Sequence, residues 1–172
     1  VTPNGKQVVS GSRDNSLKVW DLASGRLLWS FEGNTVGIPT VTMMVGTPNS
    51  EKVVSGSVDR MLKVRDPLGG RPLRSLIDHT AGVYTVAVTP NSEQVVSGSE
   101  DGMLKVWELA SGRLLRSLID HTAGVHTIAV TPNGKQVVSG SVDRTLKVWD
   151  LASGRLLRSL EGHSGSVHTV AV

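Results

Sequence analysis

The sequence contains no cysteine, and aromatic residues make up only 3% of its 172 positions. The absence of cysteine excludes disulfide scaffolds, thiol catalysis and cysteine zinc sites. Apolar runs are only a few residues long, so no segment has the pattern of a membrane-spanning helix, and no signal peptide is seen at the start. We therefore expect a cytoplasmic location. The net charge of +3 is too small to indicate a class of partner.

Valine and glycine are abundant instead, with 26 and 19 copies. Valine is β-branched and favours strands, whereas glycine favours the tight turns that separate them. No stretch has a convincing helical period. The composition therefore predicts an all-β fold.

The sequence repeats itself at a nearly fixed interval. The tripeptide Thr-Pro-Asn recurs in steps of 45, 42 and 42 residues, and residues 88–129 match residues 130–171 at 30 of 42 positions. Such a period indicates an array of one structural unit. It predicts four repeats, with three extra residues between Gly33 and Pro48. The repeats cover approximately 1–45, 46–87, 88–129 and 130–172.

One repeat divides into four short alternating segments. In the last copies these segments are 125–130, 136–141, 146–151 and 156–160, and turn residues separate all of them. Loops of hairpin length join antiparallel neighbours. Four strands in 42 residues are typical of one blade of a β-propeller.

Short motifs recur inside each unit and resemble those of a known family. They are a glycine-histidine pair (Gly162-His163), a Ser-Gly-Ser-x-Asp stretch (139–143) and a Trp-Asp dipeptide (Trp149-Asp150). The units resemble WD40 repeats, and their high mutual identity resembles bacterial WD40 arrays. The resemblance implies a β-propeller with four antiparallel, four-stranded blades in this chain. It also implies a rigid platform that binds other proteins.

The resemblance further implies a structural hydrogen-bond network in each blade. His79 should serve Ser97, Asp101 and Trp107, and His121 should serve Ser139, Asp143 and Trp149. The expected network residues are His79, His121, His163, Ser10, Ser55, Ser97, Ser139, Asp14, Asp59, Asp101, Asp143, Trp20, Trp107 and Trp149. A Ser-His-Asp hydrolase is the alternative, but it needs an exposed, activated serine beside an oxyanion site. A network repeated in successive blades suits architecture better, so we expect neither catalytic residues nor a cofactor.

The second repeat departs from the pattern. Arg65 stands where the other repeats have tryptophan, Asn34 replaces the histidine, and the loop 67–70 differs from its counterparts. We expect this blade to be the least stable, and the alternative is that its loops are specialised. Two other repeats have Asp78 and Asp120 in place of the glycine before the histidine, which Gly162 retains.

Positions on one face of the predicted propeller differ between repeats that are otherwise nearly identical. They flank the turn aspartate or begin the innermost strand, and Thr42 is the expected counterpart of Tyr84. Such variation indicates a recognition surface, and free drift of exposed turn residues is the alternative. The candidate partner-binding residues are Arg13, Arg60, Glu100, Arg144, Tyr84, His126 and His168.

Metal and nucleic acid are not expected as ligands. His126 and His168 lie on adjacent blades, and we expect them to be too far apart to share a zinc ion. The basic residues repeat around the ring and predict a solvated rim without the aromatic interleaving that binds bases. These residues are Lys18, Lys63, Lys105 and Lys147 on third strands and Arg74, Arg116 and Arg158 on outer strands.

Two functions are consistent with these features. The first is a non-enzymatic scaffold or sensor that binds protein or peptide partners through the variable face. The second is a lectin-like propeller that binds small ligands or glycans in matched pockets on every blade. Residues 1–3 have the pattern of the end of an inner strand, so we expect the first blade to lack its inner strand, whereas 168–172 has the pattern of an inner strand without a blade. Pairing of this segment with the first blade of a second chain would close an eight-bladed homodimer. A four-bladed ring and a piece of a longer array are the alternatives.

Overall fold

The computed structural model describes residues 5–31, 37–44, 52–66 and 72–172, with the backbone alone for 41–44. Regular structure in this part of the chain is entirely β, and it includes no helix long and apolar enough to cross a membrane. The described strands are β1 Gln7–Gly11, β2 Leu17–Asp21, β3 Leu27–Phe31, β4 Thr40–Met44, β5 Lys52–Gly56, β6 Met61–Arg65, β7 Pro72–Ile77, β8 Val83–Val88, β9 Gln94–Ser99, β10 Met103–Glu108, β11 Leu114–Ile119, β12 Val125–Val130, β13 Gln136–Ser141, β14 Leu146–Asp150 and β15 Leu156–Leu160.

The strands form four antiparallel sheets in chain order. Blade 1 is β1–β3, blade 2 is β4–β7, blade 3 is β8–β11 and blade 4 is β12–β15. The inner strand β8 contacts β4 on one side and β12 on the other, so consecutive blades stand side by side around the innermost strands. The predicted fold class, an all-β array of propeller blades, is confirmed.

Apolar side chains hold the blades together face to face. Blade 3 contributes Val96, Val106 and Leu118 to a buried cluster that blade 4 completes with Val137, Trp149 and Leu151. An equivalent cluster joins blades 2 and 3, and a smaller one joins blades 1 and 2. Because strand side chains alternate between faces, each blade presents one apolar set to its predecessor and another to its successor. The repeated sequence therefore builds a repeated interface.

A glycine in the second strand of blades 2, 3 and 4 allows the inner strands to approach closely. A Cβ atom added at Gly98 would lie 2.7 Å from both Thr85 Cγ2 and Val125 Cγ1, which is closer than real Cβ contacts. The same crowding occurs at Gly56 and Gly140. The glycine of the Ser-Gly-Ser motif is thus the space into which side chains from two adjacent inner strands pack.

The segment 168–172 was predicted as an inner strand, but it does not form a hydrogen-bonded strand. It nevertheless lies beside β12 as β12 lies beside β8. The Val170 N–H donates to Thr127 Oγ1 at 3.2 Å, and the Ile128 N–H donates to Thr85 Oγ1 at the same distance. A β ladder requires a second strand alongside, and none of the described strands lies there. The predicted partner of this segment is the first blade, whose strand β1 lies at the edge of its sheet among the described strands.

Candidate functional site

The histidine of blade 3 connects two polar residues of the same blade. His79 Nδ1 lies 2.8 Å from Asp101 Oδ2, and His79 Nε2 lies 2.8 Å from Ser97 Oγ. The same serine oxygen accepts a hydrogen bond from Trp107 Nε1 at 2.9 Å. A neutral imidazole that donates from Nδ1 and accepts at Nε2 satisfies this arrangement, because the serine then donates once and accepts once.

Blade 4 repeats this arrangement. His121 Nδ1 lies 2.7 Å from Asp143 Oδ2, its Nε2 lies 2.8 Å from Ser139 Oγ, and Trp149 Nε1 donates to that oxygen at 2.9 Å. In both blades the histidine belongs to the loop that enters the blade, whereas its partners lie on the second strand, the third strand and their turn. The structure thus brings together both sets of residues that the sequence motifs named.

The network is closed to solvent. Ser97 and Ser139 are 0% exposed, and the side chains of His79 and His121 are 0% exposed as well. A serine nucleophile must reach a substrate carbonyl, but these hydroxyls contact only other network members and backbone. The geometry therefore suits a structural role, in which fully satisfied buried polar groups fix the packing of the blade.

The network aspartates have lowered pKa values. Burial by itself would raise the pKa of Asp101, but the hydrogen bond from His79, together with the N–H groups of Thr80 and Met103, lowers it to about 2. Burial is likewise outweighed at Asp143, whose pKa is also about 2, by hydrogen bonds from Thr145 and His121 and from the Thr122 N–H. Burial lowers the pKa of His121, and the hydrogen bond to Asp143 opposes that effect.

Two lysines that were predicted to lie on a solvated rim are buried instead. Lys105 and Lys147 are 5% and 7% exposed, and each is paired with an aspartate from the preceding blade. The partners are Asp78 and Asp120, the residues that replace the glycine before the histidine. Each aspartate precedes its lysine by 27 residues. This constant separation is a sequence signal from which the two ion pairs could have been predicted.

Blade 2 contains the same serine without its usual partners. Ser55 is 1% exposed, and Arg65 is 5% exposed. Among the described residues, neither Ser55 Oγ nor Arg65 Nε has a hydrogen-bond partner. Burial lowers the pKa of the Arg65 guanidinium. Asp59 accepts a hydrogen bond from the Met61 N–H, within its own turn. Asn34 and the loop 67–70, both singled out from the sequence, lie outside the described residues.

Blade 1 has the tryptophan-serine contact but not the histidine. Trp20 Nε1 donates to Ser10 Oγ at 2.9 Å, and Asp14 accepts hydrogen bonds from Ser16 in its own turn. These contacts are more exposed than their counterparts in blades 3 and 4. His163 is exposed, and in the described structure it is not joined to Ser10, Asp14 or Trp20.

The outer-to-inner loops and the second-to-third-strand turns share one end of the blades, which we call the upper face. A groove of about 310 Å³ opens there, lined by Arg13, Gly37, Pro39, Val58 and Tyr84. The structure therefore brings Arg13 and Tyr84, two of the candidate partner-binding residues, to one groove.

The expected equivalence of Thr42 and Tyr84 is wrong. Thr40 pairs with Gly56 as Thr85 pairs with Gly98, so the residue equivalent to Tyr84 is Pro39. Thr42 pairs with Val54, further along β4. The three extra residues of this repeat lie between Thr40 and Pro48. An alignment counted backward from Pro48 therefore misses the true equivalent of Tyr84 by three residues.

Three candidate residues form a column across neighbouring inner strands. The ring centroids of Tyr84 and His126 are 5.2 Å apart, and those of His126 and His168 are 5.4 Å apart. Tyr84 and His126 each occupy a β-bulge, where a strand gains one residue and a side chain is redirected. His126 Nδ1 lies 3.4 Å from His168 Nδ1, so the expectation that these histidines are far apart is also wrong.

Arginines occupy a strained turn position on the upper face. Arg60 and Arg144 have φ angles of 74° and 72°, in the left-handed region that favours glycine, and the equivalent residue of blade 3 is Gly102. Both arginines are exposed, as are Arg13 and Glu100. The structure places these four residues in successive turns rather than in one cluster.

The stacked antiparallel sheets, three of them four-stranded, and the repeated Ser-His-Asp-Trp network together define a propeller of the kind built from WD repeats. A family model described as "WD domain, G-beta repeat" matches residues 1–21, 70–108 and 112–150. The matched ranges cover more than half of the chain, and the chain belongs to the WD40 family. A comparison with curated proteins gave no match.

Replacing Arg65 with tryptophan should stabilise the protein. The indole N–H would donate to the buried Ser55 hydroxyl, and a buried guanidinium would be removed, so we expect a gain of about 1–3 kcal/mol in the free energy of unfolding. Urea denaturation measures the change. Arg65→Leu is the control, because it removes the charge without supplying an N–H. Equal stability of the Trp and Leu variants would show that the hydrogen bond contributes nothing.

Acid should destabilise the fold in two stages. Unfolded histidine takes up a proton below about pH 6.5, whereas folded His121 has a lowered pKa. The free energy of unfolding therefore declines as the pH falls below about 6.5. Unfolded aspartate takes up a proton near pH 3.8, whereas Asp101 and Asp143 resist protonation to about pH 2. The stability that these two carboxylates provide is complete above about pH 5 and is lost as the pH falls toward 2.

Urea midpoints measured from pH 8 to pH 2.5 test this expectation. Asp143→Asn should cost about 1.5–3 kcal/mol at pH 7, because charge-assisted hydrogen bonds are lost, and it should flatten the acid limb. The exposed Glu161→Gln is the control and should change stability by less than about 0.5 kcal/mol. An acid limb that is equally steep in the Asn variant and the parent chain would contradict the assignment.

Proposed function

We propose that this chain is a non-enzymatic interaction scaffold or sensor that binds protein or peptide partners through its upper face. The observation that carries this proposal is the groove beside Arg13, Val58 and Tyr84, on the face where the repeats differ most. Arginine and tyrosine are enriched among the residues that dominate protein interfaces, and the glycine, proline and valine of the groove supply apolar contact area.

The strained backbone at Arg60 and Arg144 also supports the upper face as the binding surface. A non-glycine residue in the left-handed region costs of order 1 kcal/mol or more, and Gly102 occupies the equivalent position of blade 3. Arg60 and Arg144 occupy this position although their exposed side chains add no buried contact area. Backbone strain of this kind is concentrated at functional positions, and recognition of a partner is the function that we propose for these two arginines.

The absence of catalysis is part of the proposal. Its support is that the serine, histidine and aspartate sets of blades 3 and 4 are buried and fully engaged with one another. The WD40 family typically provides binding platforms rather than catalysts.

The opposite, lower face supports a second candidate function. Its pockets, of about 270–460 Å³, recur at equivalent positions between the first-to-second and third-to-fourth strand turns. Each is lined by an acidic residue, a leucine and an alanine in sequence, and matched pockets are what a lectin-like propeller requires. The three sets are Asp21, Leu22 and Ala23; Glu108, Leu109 and Ala110; and Asp150, Leu151 and Ala152. The acid side chains of Asp21 and Asp150 are hydrogen-bonded to Ser24 and Ser153, which leaves them less available to a sugar.

Affinity capture from a lysate of the source cell, with matched variants of the two faces, tests the first candidate against the second. The upper-face variant carries Tyr84→Ala, His126→Ala and His168→Ala. The lower-face variant carries Lys6→Ala, Glu93→Ala and Lys135→Ala, which lie in the three matched pockets. We expect the upper-face variant to lose the protein partners and the lower-face variant to retain them.

The reverse outcome has a defined meaning. If both variants capture the same proteins, the assignment of the upper face is wrong. If the lower-face variant alone loses binding, and the lost material is released from the parent chain by free sugar, the lectin-like function is supported instead. Thermal unfolding of both variants verifies that they remain folded.

We further propose that two copies associate into an eight-bladed ring. The outward face of blade 4 has Leu160 at 45% exposure, whereas its equivalent in blade 3, Leu118, is 1% exposed because blade 4 covers it. On blade 1, Leu22 is 53% exposed, whereas the equivalent Leu151 is 2% exposed. These two faces repeat the surfaces that pack together between blades 3 and 4, so a second copy can cover both.

Multi-angle light scattering on the purified chain tests the association. We expect twice the chain mass of 18.2 kDa. Leu22→Asp places a charge on the apolar face and should shift the mass to that of one chain, whereas Leu73→Asp, on an exposed outer strand, should not. A parent chain that elutes at 18.2 kDa across a range of concentrations would exclude the dimer.

A further inference from the structure

We propose that His126 and His168 together bind one divalent transition-metal ion, through their Nδ1 atoms. The two nitrogens are 3.4 Å apart, and the ring centroids are 5.4 Å apart. The pair lies in the column at the start of the inner strands, and it is separate from the buried histidines of the network.

Both distances match a chelate. Two nitrogens that lie about 2.1 Å from a zinc ion and subtend the tetrahedral angle at it are about 3.4 Å apart. If each nitrogen lies on the line from its ring centroid to the metal, the centroids are then about 5.3 Å apart. The observed pair of distances therefore places the two rings where a single ion between them would require them.

A direct hydrogen bond between the two rings fits less well. An N–H···N bond has an optimum near 3.0 Å, and a heavy-atom distance of 3.4 Å lies beyond the usual range.

The backbone holds the two histidines at this spacing before any ion binds. The Val167 N–H donates to Ser141 O at 2.9 Å, and the Val170 N–H donates to Thr127 Oγ1, so the residues on both sides of His168 are tied to blade 4. The Tyr84 ring packs against His126 on the side away from His168. An arrangement fixed in this way reduces the ordering cost of binding.

The chemistry of the site defines the ions that it can take. Two imidazoles suit zinc, copper and nickel, whereas magnesium and calcium prefer oxygen ligands. In the described part of the chain no group of three or more histidine, cysteine or acidic residues converges on one point. The remaining coordination positions therefore belong to water or to a donor from a bound molecule, and the site is open.

Zinc titration of the untagged full chain by isothermal calorimetry tests the proposal, because a polyhistidine tag would mask a two-histidine site. We expect saturable binding of about one ion per chain. His126→Ala and His168→Ala should each weaken the affinity at least about ten-fold, since loss of a ligand costs no less than loss of the groups that orient it. His163→Ala is the matched control, because His163 is exposed and lies outside the pair.

A gain-of-affinity variant provides an independent measurement. Tyr84→His places a third imidazole at the equivalent position of the neighbouring blade, at a ring spacing close to that of the natural pair, and should tighten zinc binding by about ten-fold or more. The proposal is overturned if the parent chain binds no zinc at millimolar concentration. It is also overturned if the His163 variant loses as much affinity as the His126 and His168 variants. Circular dichroism confirms that each variant is folded.

Discussion

One buried serine hydroxyl in each complete blade connects the parts that a repeat must hold together. Ser97 lies on the second strand, Trp107 on the third and His79 in the loop that arrives from the preceding blade. An unpaired buried hydroxyl is costly, so the histidine and the indole both need to be in place, and the loop and the two strands are fixed together. Blade 2 shows the consequence when the partners change: Ser55 remains buried, but its oxygen has no hydrogen-bond partner in the part of the chain that the structure describes.

The aspartate before the histidine adds a second connection of the same kind. Asp78 and Asp120 directly follow the outer strand of one blade, in the loop that leads to the next blade, and their lysines lie in that next blade. These pairs therefore join neighbouring blades in addition to the apolar clusters between them. Because the lysines are buried, the carboxylates offset a charge that would otherwise be expensive to hold there. The change from glycine to aspartate in two repeats is thus a change in how blades are joined.

The sequence was sufficient for the parts of the structure that depend on a local pattern. The strands of the fourth repeat follow from spacings within one period, and a period carries its own register. The partners of His79 and His121 were implied by the resemblance of the repeated motifs to WD40 repeats. The misplacement of Thr42 arose where three residues interrupt that register. The burial of Lys105 was missed because it depends on a partner from another blade. The composition and the repeat period do not predict contacts between residues of different blades, because those contacts depend on how the blades are arranged next to one another.

The spacing of His126 and His168 depends on the glycines of the second strands. The side chains of Thr127 and Val167 occupy the space above Gly140, where even a Cβ atom would be only 2.6–2.8 Å from them. The inner strand and the segment beside it therefore lie closer together than side chains of ordinary size would allow. That proximity sets the 3.4 Å separation of the two imidazole nitrogens. The residue that lets the blades pack is thus also the residue that places the two imidazole nitrogens within reach of one ion. A larger residue at position 140 would therefore disturb packing and the histidine pair together.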